Sequence, residues 1–199
     1  MIINKGRTIG RSFRIDERWL NILKEEAERE GVSPNSLLNR VLQDYCTFGK
    51  IDKNFPNVTV SQKLFAQLLL SCPKEKLIAL GREVGARNYL DLTNILGLES
   101  DQESIIYFIR EFLGRHLNLF TYTYYTKKDK LILHLRHNLG ENWSVYTSEL
   151  LSTIFDTVLG IKPKIEISED TVTIFVPRNE PAFTHDQLRF NPLNLSKLT

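Results

Sequence analysis

The residues best placed to do chemistry in this chain are guanidinium and ammonium groups near its start. Lys5, Arg7, Arg11 and Arg14 fall within the first fourteen residues, and no acid interrupts them. From residue 51 to the end, 17 basic and 17 acidic residues cancel. The formal charge of +2 therefore has its positive excess at the N-terminus. On charge alone such an arm reads as a solvated leader. What changes the reading is its pattern: in TIGRSFRI, residues 8–15, apolar and polar residues alternate, as in a strand with one buried face.

Other reactive side chains are not arranged for catalysis. His134 and His137 are three apart on an alternating segment, which puts them on opposite faces of a strand, so they are not metal ligands. His116 and His185 stand alone. Cys46 and Cys72 have no metal-ligand spacing, and reduced thiols in a cytosolic protein are the default. There is no Ser/His/Asp spacing, phosphate-binding glycine loop or paired-carboxylate motif. The expectation is a binding protein, not an enzyme, with no metal and no cofactor. The aromatic run LNLFTYTYYT, residues 117–126, splits by alternation into Leu119, Thr121, Thr123 and Tyr125 on one face and Phe120, Tyr122 and Tyr124 on the other. Core packing across strands is favoured over a base- or ligand-stacking role.

Directly after the alternating segment the period changes. Asp16 is a good N-cap, and Leu20, Leu23 and Ala27, widened by Trp19 and Ile22, form a helical stripe to about Glu30. Gly31 stops that helix. Ser33 then caps a second one, with Pro34 at its first position, and Leu37, Leu38, Val41, Leu42 and Tyr45 form its stripe to about Phe48.

Strand, cap, helix, glycine and Ser-capped second helix together resemble the ribbon-helix-helix family of DNA-binding regulators. The residues carrying the likeness are RSFRID, ERWLNILKEEAERE, Gly31 and VSPNSLLNRVLQDYC, about a fifth of the chain. The resemblance implies a homodimer in which each chain donates one strand to a two-stranded antiparallel ribbon that enters the DNA major groove. It implies a dimer core of Phe13, Ile15, Leu20, Leu23, Leu38, Val41 and Leu42. It turns Arg14, Ser12, Gly10 and Thr8 toward base edges. It gives the start of the second helix, Ser33, Asn35 and Ser36, to the phosphate backbone, helped by Arg11, Arg7 and Lys5. The chain departs from the family pattern at two positions. Gly10 stands where a base-reading side chain is usual, and Arg11 where an aliphatic one is usual; Arg11 can snorkel from the ribbon end to a phosphate.

The remainder reads as an α+β domain. Residues 51–57 are a linker, Val58 to Val60 a short strand, and Ser61 caps a helix over 62–71. Pro73 starts a helix to about Ala86, Tyr89 to Leu96 forms a further helical piece, and Ser100 caps a helix to about 115. Hairpins over 118–137 and 164–176 flank a helix from Trp143 to Leu159, whose Trp143 and Tyr146 are expected on the sheet edge. Helix-hairpin thus occurs twice, which suggests a four-stranded antiparallel sheet with two helices across one face. Residues 178–199 read as an extended tail.

The domain plan is 1–50 for DNA binding and dimerisation, 51–57 linker, 58–177 for ligand sensing or oligomerisation, and 178–199 tail. The expected function is a sequence-specific transcriptional regulator in the cytoplasm, associated with the nucleoid. Its partners would be double-stranded DNA, a second copy of itself, and a small-molecule or protein effector, with no membrane. The rival from another class is an antitoxin-like or scaffold protein whose C-terminal domain grips a protein partner.

Overall fold

The computed structural model describes residues 9–49, 58–127 and 130–177. The expected linker 51–57 and tail 178–199, together with Lys5, Arg7, Thr8 and His185, lie outside the described residues. The chain divides into two compact units, one ending at Asn57 and the other beginning at Val58. Its architecture is mixed helix and antiparallel sheet.

In the first unit, residues 9–16 form no strand ladder with any described segment, so the expected strand is not a strand within one chain. Helix α1 spans Glu17–Arg29 and α2 spans Pro34–Thr47. Asp16 caps α1 by accepting from the Arg18 N–H at 2.9 Å. At the other end Gly31 takes φ +67, the Gly31 N–H donates to Glu28 O and the Val32 N–H donates to Ala27 O. These two bonds satisfy carbonyls that the helix end would leave bare. The two helices lean together through buried Ala27 and Leu37, and Arg40 of α2 pairs with Glu30.

The second unit opens with α3, Gln62–Leu70, capped by Ser61, and α4, Lys74–Leu96. Val58 to Val60 is irregular, not a strand. The expected break between Ala86 and Tyr89 is absent, and α4 runs through as one helix. Its reason is tertiary. Gly81 and Gly85 lower the helix propensity of that stretch, but they sit against α6, Glu141–Leu159, where a side chain would collide. Exposed ion pairs Lys74–Glu141 and Arg82–Glu149, both 2.8 Å, flank the seam and add little to it.

Between them, α5 spans only Gln102–Tyr107 and passes into a π-helix, Phe108–His116. Its cap is Asp101, which accepts from the Ser104 N–H, rather than the expected Ser100. Within the π-helix Phe108 and Phe112 stack at 5.4 Å, with Tyr89 of α4 edge-on to Phe108. The sheet consists of β1, Thr121–Lys127, β2, Lys130–Arg136, β3, Lys164–Ile167, and β4, Thr171–Pro177. Its order is β1-β2-β4-β3, with all neighbours antiparallel. Two hairpins thus meet at the central β2–β4 pair, the arrangement that a doubled helix-hairpin unit produces.

Alternation sets the faces. Leu131, Leu133 and Leu135 of β2 oppose Val176, Ile174 and Val172 of β4, and all six are buried. Tyr122 and Tyr124 of β1 extend this face, half-buried, with their rings stacked at 6.4 Å along one strand rather than paired across strands as expected. The π-helix lies against β1, and α6 against β3 and β4. Trp143 and Tyr146 do not pack on the sheet edge. Trp143 stands edge-on to Phe65 and in a cluster with Leu69, Leu77 and Leu139, because α3 covers the start of α6.

Candidate nucleic-acid interface

The residues expected to meet DNA are carried by the irregular segment 9–16 and the start of α2. Gly10, Arg11, Ser12 and Arg14 are all exposed. No carboxylate among the described residues pairs with Arg11 or Arg14, so both guanidiniums are available to an anion. Arg18, the second residue of α1, is engaged instead. Its Nε and Nη2 each donate to Asp16 at 3.0 Å, and this holds the Asp16 carboxyl below its ordinary range.

The start of α2 is built by its cap. The Ser33 hydroxyl oxygen accepts from the Ser36 N–H at 3.1 Å and lies 2.8 Å from the Ser36 hydroxyl. Pro34 has no N–H, and Leu37 donates to Ser33 O. The cap therefore uses the Ser36 N–H that the resemblance assigned to phosphate. The Asn35 N–H and its side-chain amide donate to no described residue and lie beside the positive end of the helix. Asn35 is the strongest of the three phosphate candidates, while Ser33 and Ser36 also serve the helix itself. The segment 9–15 makes no hydrogen bond or ion pair to this helix start, so the two groups of candidates are not joined within one chain.

The apolar candidates tell most. Phe13 is 69% exposed, Ile15 42%, Val41 51% and Leu42 45%, while Leu20, Leu23 and Leu38 are half-buried. None of these seven is buried in one chain, so the expected core is not assembled there. Trp19, Ile22 and Tyr45 extend the same exposure along both helices. A single exposed apolar side chain is ordinary, but this many within one forty-residue unit is not.

His134 and His137 do face opposite ways, as alternation required. His134 Nδ1 lies 2.9 Å from Thr173 Oγ1, half-buried on the face opposite Leu133 and Leu135. His137 is buried, with Nε2 2.9 Å from Ser144 Oγ and Nδ1 accepting from the Leu139 N–H at 3.3 Å. That acceptance leaves the ring proton on Nε2, donating to Ser144. Burial pushes the His137 pKa down, opposed by Asp170 at 4.0 Å. Among the described residues no group of His, Cys, Asp and Glu is gathered to hold a metal, and no helix is long and apolar enough to cross a membrane.

Comparison with protein-family models, with curated proteins and with solved structures finds no match to this chain.

Proposed function

We propose that this chain is a sequence-specific DNA-binding transcriptional regulator that works as a homodimer, through a ribbon-helix-helix formed by residues 8–48 of two copies. The observation that carries this reading is the open apolar face of the first unit. Phe13, Ile15, Val41 and Leu42 remain exposed although α1 and α2 are capped at their N-termini and packed on each other. An alternating segment with no ladder partner and an uncovered helix pair share one remedy, a second identical chain.

In that dimer two segments 8–15 pair antiparallel. Phe13 and Ile15 turn inward, and Gly10, Ser12 and Arg14 turn out. The ribbon enters the major groove, where Arg14 donates two hydrogen bonds to one guanine. Asn35 and the N-terminal start of α2 hold a phosphate, and Arg11, Arg7 and Lys5 add backbone affinity that falls with salt. Gly10 has no side chain to read a base, so discrimination concentrates at Arg14 and Ser12. The α+β unit supplies the regulation: a ligand that favours one arrangement of the two DNA-binding units shifts operator affinity.

Selection of bound sequences from random DNA, at a fixed stated salt, tests the reading. A two-fold dimer should enrich repeated half-sites that contain guanine. Recovery of unenriched DNA would oppose it.

A further inference from the structure

A pocket of about 280 Å³ opens in the second unit, where β1 begins and β2 ends. Gln62, Asn118, Thr121, Arg136, His137 and Asn138 supply its polar lining. Arg136 carries the formal charge of that wall, and among the described residues no carboxylate belongs to it. We infer that this pocket binds a small molecule through an anionic carboxylate or phosphate group, with Arg136 as its counter-ion.

Each wall is held for its own reason. Thr121 and Arg136 are cross-strand partners, and the Thr121 hydroxyl donates to Arg136 O at 3.3 Å. The strand pairing thus fixes the Arg136 backbone while its guanidinium has no carboxylate partner among the described residues. Asn118 has φ +51, and it is the one described non-glycine residue with positive φ. Asparagine tolerates that conformation better than most residues, yet backbone strain of this kind gathers at binding sites. Gln62 opens the first turn of α3, whose N-terminal end carries partial positive charge. His137 contributes a fixed neutral wall, since both ring nitrogens are committed to Ser144 and to the Leu139 N–H. The nearby Asp170 is turned to the Gly140 N–H at 3.4 Å and stays out of the lining.

A guanidinium among neutral amides selects an oxyanion by charge and by parallel N–H donors. The volume falls just below the roughly 300 to 1,000 Å³ usual for ligand pockets, so the ligand is smaller than a nucleotide. The inference stands independently of DNA binding by the first unit.

The test uses the full chain, titrated with inorganic phosphate and separately with succinate, against sodium chloride of matched ionic strength. Calorimetry gives the affinity and thermal melting the stabilisation. Saturable binding of either anion is expected, and which one binds identifies the class. Arg136→Gln should weaken it about ten- to hundred-fold, the usual worth of a hydrogen bond to a charged group. Lys130→Gln removes the same charge from the other end of β2 and should leave the affinity unchanged. Asn118→Gly, which relieves the positive φ and deletes one amide, should weaken binding without lowering the melting temperature. Stabilisation no greater than with chloride, or equal affinity in Arg136→Gln and the unaltered chain, would overturn the assignment.

Discussion

Gly85 of α4 and Leu150 of α6 approach so closely that a Cβ on the glycine would lie 2.7 Å from the Leu150 carbonyl oxygen. Four residues earlier, a Cβ on Gly81 would lie 2.8 Å from Tyr146 O. The two glycines make a flat strip along which the helices meet backbone to backbone. Backbone cannot move aside as a flexible side-chain tip can, so the strip tolerates glycine alone.

This contact makes a prediction whose sign is informative. In an isolated helix Gly→Ala stabilises by about 1 kcal/mol. At Gly85 crowding should cost about 1 to 3 kcal/mol and outweigh that gain. Gly85→Ala should therefore lower stability to chemical denaturation, and Gly81→Ala should do the same. A rise in the midpoint for either variant would show that the helices are farther apart.

The His137 ring gives a pH dependence. Burial holds its pKa below the ordinary 6.5, so the folded chain binds this proton less readily than the unfolded chain does. The unfolded state then binds more protons, and stability falls as pH falls from above 6.5 through the folded value. Above that window His137 is neutral in both states and contributes no slope. Urea melts from pH 8 to 5 should show a loss of stability on the acid side that is shallower in His137→Gln. An equal slope in the variant would exclude this residue as its source.

Arg14 and Arg11 should separate base reading from backbone affinity. Arg14→Ala should lose about 1 to 3 kcal/mol of discrimination at one base position. Arg11→Ala should weaken all sequences about equally and reduce the slope of log affinity against log salt by about 1. Quantitative binding to matched and singly substituted operators at several salt concentrations distinguishes the two. Identical sequence preference in Arg14→Ala would remove the base-reading role.

Local chemistry was readable in the sequence at most helix ends, though the cap expected at Ser100 is supplied by its neighbour Asp101. Asp16, Ser33 and Ser61 are caps because each has an oxygen that reaches a nearby N–H, and Gly31 and Gly160 end helices with positive φ. The hairpins and their faces followed from alternation. Long-range packing was not readable. Gly81 and Gly85 lower helix propensity locally, and only the presence of α6 explains an unbroken α4. The π-helix at 108–116 has the same apolar content as the expected α-helix and differs only in turn width. Gln62, Asn118 and Arg136 are distant in sequence, so no spacing pointed to the pocket that they share. Among the described residues the DNA candidates Arg11 and Arg14 are exposed and have no carboxylate partner, while the cap at Ser33 already uses one of the donors expected to meet phosphate.

Pairing of the opening segments of two chains can be measured directly. With the exposed Cys46 and Cys72 changed to serine, a spin label placed on Ser12→Cys reports the distance to its copy in a second chain. Directly opposed residues in an antiparallel ladder have Cα atoms about 4.5 to 5.5 Å apart. The expected result is strong spin–spin broadening that disappears when labelled chain is diluted into an excess of unlabelled chain. A sharp, unbroadened spectrum at every concentration would mean that these segments do not meet.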